Sequence, residues 1–154
     1  MRRAVLALAV ILSGCAAEQA PVPAPKKAAA PKRIPNHTAQ LIQQGLKESR
    51  MVTDHLLDSP KLPPGALGEY ELKGKKYRMF IADVDTGAEA ALILFSYKGT
   101  LKDPEYISYM GGYFGSDGTQ PVYIFAKRQY LAGVAGLPMA QADKLARELA
   151  SRLQ

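Results

Sequence analysis

The chain has no tryptophan, one cysteine and two histidines in 154 residues. The scarcity of cysteine and histidine excludes two kinds of site. One cysteine cannot form an internal disulfide, so any fold must be held by its apolar core. The histidines, His37 and His55, lie eighteen residues apart with no cysteine near them, which is not the spacing of a zinc site. No nucleophile sits in a Gly-x-Ser-x-Gly context, and Ser116 in Phe-Gly-Ser-Asp-Gly departs from it. No window approaches the ~18 uncharged apolar residues that a membrane-crossing helix needs.

The longest apolar stretch, Ala4 to Leu12, follows Met1-Arg2-Arg3 and precedes Ser13-Gly14-Cys15. As a helix it would reach about 14 Å, half of a ~30 Å hydrocarbon core. A basic start, a short apolar segment and small residues before a cut are the pattern of a secretory signal. Leu12-Ser13-Gly14-Cys15 resembles the lipobox of bacterial lipoproteins. The resemblance implies that residues 1–14 are removed and that Cys15 carries acyl chains into a lipid bilayer. Ala16 in place of Asp implies the outer membrane, with the domain facing the periplasm.

Residues 16–36 alternate prolines and alanines with lysines and offer no apolar period. With Cys15 they read as an extended tether, of up to roughly 65 Å at about 3.1 Å per residue. They also hold most of the charge. Residues 16–36 carry four basic side chains against one acidic, a net +3, whereas residues 37–154 carry fourteen against thirteen, a net +1. A nucleic-acid binder would concentrate charge on a folded face, so no nucleic-acid partner is expected.

Residues 37–154 read as one α+β domain, a mostly antiparallel sheet with helices packed on one face, in the order α-β-β-α-β-β-β-α. Thr38 predicts a capped first helix running to about Leu57. Glu69–Leu72 and Tyr77–Val84 form a strand pair about Lys73-Gly74-Lys75. Apolar residues on both sides of Tyr77–Val84 make it an inner strand. Thr86-Gly87-Ala88-Glu89 is a capping box opening a helix of about eleven residues, stopped at Gly99 and so apolar that burial is expected. An irregular stretch about Asp103-Pro104 precedes the aromatic segment Tyr106–Phe114. Val122–Phe125 and Tyr130–Val134 follow as strands about Lys127-Arg128-Gln129. Pro138 starts a final helix with the stripe Ala142, Leu145, Ala146, Leu149 and Leu153. From about Gly68 onward, this strand-helix order with its aromatic-glycine segment resembles a bacterial α+β family of unknown function, which implies no activity.

Asp83-Val84-Asp85-Thr86-Gly87 has the start of a calcium loop, but the ninth and twelfth positions fall on Ala91 and Leu94. A strand end and a helix cap account for it. The glycines at 111, 112, 115 and 118 lack the Gly-Lys-Ser/Thr ending of a phosphate loop. No metal, cofactor or catalytic residue is therefore expected. The remaining candidates are Tyr106, Tyr109 and Tyr113, as an aromatic patch for a glycan or small ligand, with Tyr113 assigned to packing. The leading expectation is a non-enzymatic envelope lipoprotein with a protein partner.

Overall fold

A computed structural model describes residues 33–154. The lipobox, Cys15 and the tether up to residue 32 lie outside the described residues. Seven strands form one antiparallel sheet: β1 (Leu46–Val52), β2 (Gly65–Leu72), β3 (Lys75–Asp83), β4 (Lys102–Ile107), β5 (Gly112–Ser116), β6 (Pro121–Lys127) and β7 (Tyr130–Ala135). Two α-helices accompany them, α1 (Gly87–Lys98) and α2 (Met139–Arg152). The sheet order is β1-β2-β3-β7-β6-β5-β4. Two meanders are thus joined edge to edge at β3 and β7, and α1 carries the chain from β3 to the far edge.

The turns follow local chemistry. Lys73 and Gly74 both take positive φ between Leu72 and Lys75, the geometry that matches the twist of a two-residue hairpin. At the β5–β6 turn, one Asp117 oxygen accepts from the Thr119 and Gln120 amides. The side chain of Thr86 accepts from the Glu89 amide and caps α1. Glu89 reaches back one residue further than a standard capping box, to the Asp85 amide.

The expected first helix is not there. Thr38–Gln40 and Leu56–Asp58 are single 3-10 turns, and the residues between them include β1. Gly45 at φ +79° breaks any helix at that point. β1 is an edge strand whose Lys47, Glu48, Ser49 and Arg50 are all exposed, so it needs no apolar alternation and shows none. The stretch about Asp103-Pro104 is likewise a strand. β4 forms the other edge, with a register shift between Lys102 and Glu105 and with Asp103 at positive φ. Proline is tolerated there because an edge strand has one side without ladder bonds.

The helices lie on opposite faces, not on one. Met79 and Ile81 of β3 pack with Tyr123, Phe125, Val134 and the α2 residues Ala142, Ala146 and Leu149. Phe80 and Ala82 pack with Leu67, Ile124, Leu131 and the α1 residues Leu94 and Tyr97. The alternation is the pleat itself, since successive strand side chains point to opposite faces. A sheet apolar on both sides needs a cover on both sides. The face beyond α1 is closed by Leu56, Leu57 and Leu62. On the α2 face, Tyr70 and Tyr77 stack at 5.0 Å, and the Tyr70 hydroxyl donates to the Ile42 carbonyl at 2.8 Å. That bond ties the buried Leu41-Ile42 segment to the sheet.

The sheet is tightest where β7 crosses beneath Phe80. A Cβ on Gly133 would collide with the Tyr123 carbonyl and lie 2.6 Å from the Phe80 ring. Backbone cannot yield there as a flexible side chain would. Gly133→Ala is therefore expected to destabilise the domain by at least the roughly 1–3 kcal/mol of an overpacked core. Chemical denaturation checks this, with Gly74→Ala as a control for strain at a site with no neighbour within 4 Å.

Candidate functional site

α1 is apolar around most of its circumference, yet a helix on a sheet buries only one side. Ala90, Leu94 and Tyr97 are buried. Leu92 and Phe95 are 71% and 66% exposed, contrary to the burial expected of so apolar a run. Across from Phe95 stand the edge strand β4 and its neighbour β5, where Tyr106 and Tyr113 are cross-strand partners with ring centroids 5.3 Å apart, tilted by 50°. The space between helix and strands is an open groove of ≈460 Å³ lined by Ala91, Leu94, Phe95, Tyr106, Tyr113 and Arg128. Lys98 bridges its wall. Its ammonium lies 5.3 Å from the Phe95 ring centre and 5.1 Å from that of Tyr113, both within cation–π range. Tyr106 is 58% exposed, while Tyr113 is half-buried against the core under α1.

Tyr109 does not join that groove. It lies in the β4–β5 turn, and its hydroxyl donates to Asp143 of α2 at 2.7 Å, on the other face of the sheet. The three tyrosines therefore form no single platform. Asp143 instead gathers its own cluster. The buried Tyr123 hydroxyl donates to the same carboxylate oxygen at 2.9 Å, and Arg147, one helical turn on, donates to the other. The Arg147 guanidinium also stacks 4.8 Å from the Tyr109 ring centre. Burial pushes the Asp143 carboxyl up, but the bonds from Arg147, Tyr109 and Tyr123 outweigh it and hold the group below the usual carboxylate range. Burial, and then Asp143 as acceptor, push the Tyr123 phenol upward. These bonds clamp α2 to the sheet and to the β4–β5 turn.

The polar residues weighed from sequence are dispersed. His37 bonds Asp83 at 3.0 Å and sets its ring edge-on to Tyr130, which fixes the start of the domain to the end of β3. His55 pairs with Asp54 on an exposed loop. Ser116 accepts from the Gly118 amide in a turn. Among the described residues, no three His, Cys, Asp or Glu side chains gather as metal ligands. Cys15 lies outside the described residues.

Tyr113→Ala is expected to lower stability by about 1–2 kcal/mol, less than the roughly 3–5 of a fully buried aromatic, while Tyr106→Ala leaves the denaturation midpoint nearly unchanged. Asp143→Ala, which strands the buried Tyr123 hydroxyl, is expected to cost about 1–3 kcal/mol. Because the native Asp143 pKa is depressed, its contribution is complete above the unfolded carboxylate value near 4 and is lost as pH falls through the lower native value. Unfolding midpoints compared at pH 7 and pH 3 should show the wild-type advantage over Asp143→Ala shrinking in acid.

Comparison with known proteins brings no relative to bear on these features: no protein-family model matches the chain, and no match is found among curated proteins or solved structures.

Proposed function

We propose that this is a lipid-anchored protein of the bacterial envelope, whose domain is a non-enzymatic interaction module. Cys15, in Leu12-Ser13-Gly14-Cys15, is its acylated residue, with the outer membrane as its site and the periplasm as the domain's compartment. The partner is an envelope protein that lays an apolar segment along the outer face of α1. The observation that carries this reading is the exposure of Leu92 and Phe95 on a helix whose inner face is already filled, beside a groove walled by Tyr106. Large apolar side chains grouped in this way, rimmed by Lys98 and Arg128, are what interaction surfaces present. Arg and aromatic side chains are also the types that dominate interface energetics.

The glycan alternative draws less support. A sugar-stacking platform needs flat, free ring faces. Tyr106 and Tyr113 tilt against each other, the Tyr113 face is occupied by Lys98, and Tyr109 is bonded to Asp143 on the other side of the sheet.

Two measurements test the two halves. Metabolic labelling with a fatty acid should mark the wild-type chain and not Cys15→Ser; persistent label on the variant would remove the anchor assignment. A photo-crosslinking residue placed at Phe95 should give one discrete envelope-protein adduct in intact cells, and one at Ser49 on β1 should not. Leu92→Ala should abolish that adduct while shifting unfolding by no more than about 0.5 kcal/mol, as exposed positions do. Equal crosslinking from Ser49, or an adduct indifferent to Leu92, would rule out α1 as the docking face.

A further inference from the structure

A second groove lies on the same face of the sheet, beyond the C-terminal end of α1. It holds ≈520 Å³ between that helix end, the Leu57–Lys61 loop and the β5–β6 turn, and its walls include Leu57, Pro60, Arg78, Tyr97, Asp117 and Gln120. Two of these side chains lack partners. Arg78 projects from β3, in register with Glu69 on one side and Ala135 on the other. Glu69 is the natural partner, but its carboxylate is held by Arg50 of β1 at 2.8 Å. Among the described residues, Arg78 makes no ion pair and no hydrogen bond, although it is half-buried on an inner strand. Tyr97 is 1% exposed, and its hydroxyl makes no hydrogen bond among the described residues. Burial, and then the Asp117 carboxylate, push that phenol up to about 12, and the field of Arg78 opposes the rise, so Tyr97 feels both charged groups of the groove.

A half-buried guanidinium without an ion pair is costly in a folded protein unless something supplies an acceptor, and the Tyr97 hydroxyl opens onto the same groove as a free donor. Asp117 does not supply that acceptor. Its two oxygens already accept from the Thr119 amide and hydroxyl and from the Gln120 amide and side chain. Those bonds hold its carboxyl below the ordinary range despite the opposing effect of burial.

We infer that this groove binds a monoanionic carboxylate carried on an apolar body, with Arg78 as its cation and the Tyr97 hydroxyl as its second donor. The planar fork of a guanidinium matches a carboxylate edge-on. Two cations, Arg78 and the exposed Lys61, face two carboxylates, Asp58 and Asp117, so the walls hold no surplus positive charge for a second negative charge on the ligand. Asp58 and Asp117 at the rim oppose a second charge and so disfavour a phosphate dianion. Leu57, Pro60 and the Tyr97 ring offer apolar surface to the body of the ligand. The site is separate from the α1 outer face: it faces the other end of the helix and shares no lining residue with the first groove.

The probe is benzoate, with inorganic phosphate as the dianionic comparison, followed by amide chemical shifts of the full chain. Benzoate should give saturable shifts at Leu57, Tyr97 and Gln120, and phosphate should bind at least tenfold more weakly. Arg78→Gln should weaken benzoate at least tenfold. Tyr97→Phe should weaken it about threefold to tenfold while leaving the unfolding midpoint unchanged, because the hydroxyl it removes makes no hydrogen bond among the described residues. The absence of saturable shifts, phosphate binding as tight as benzoate, or unchanged benzoate affinity in either variant would overturn the assignment.

Discussion

The pairing of β3 with β7 runs from Arg78↔Ala135 to Asp83↔Tyr130 and holds together two meanders that the chain visits separately. Both strands are apolar on both faces, so their pairing imposes a requirement on everything else. Side chains of alternating direction leave two apolar surfaces, and each must be covered. α2 covers one, by way of Ala142, Ala146 and Leu149. α1 and the Leu56–Leu62 loop cover the other. Gly133 lets the pair close beneath Phe80, where even a methyl group would meet backbone.

Coverage of the two faces is unequal, and the candidate sites lie where it is incomplete. α2 is amphipathic and is clamped at several points: Asp143 binds Tyr109 and Tyr123, and Lys127 donates to the Ala150 carbonyl at the helix end. α1 is apolar beyond what its buried side requires, and its surplus faces outward. Past its last turn the sheet is roofed by loop instead of helix, and there Arg78 and Tyr97 are left with polar groups unanswered. The α2 face spends its polar groups on internal structure, whereas the α1 face leaves both apolar and polar groups free to meet a ligand.

The sequence was most legible where the signal was local. Thr86 capping α1, Gly99 ending it, the turns at Lys73-Gly74 and Arg128-Gln129, the inner position of β3 and the stripe of α2 all rest on residues within a few positions of each other. What failed was non-local. β1 and β4 carry little apolar alternation because edge strands bury little, so neighbouring strands and not their own composition make them strands. The opposite placement of the helices was implicit in the two-sided β3, yet it could not be read from either helix alone. The candidate sites show the same divide. Tyr106 was recognisable as a surface aromatic, but Tyr109 meeting Asp143, Glu69 choosing Arg50 over Arg78, and the idle Tyr97 hydroxyl depend on residues brought together only by folding.

The β3–β7 seam also sets an order of events. β1, β2 and β3 are complete as a hairpin series once Asp83 has emerged, but the strand that must lie against Met79 and Ile81 comes only after α1 and three further strands. Until then β3 is a bare edge, apolar on both sides, of the kind that pairs with whatever strand is nearest. A chain threaded amino-end first would present that edge throughout the passage of its second half. Its vulnerability to misassembly is therefore greatest just before completion, and it ends when Tyr130–Ala135 closes the sheet.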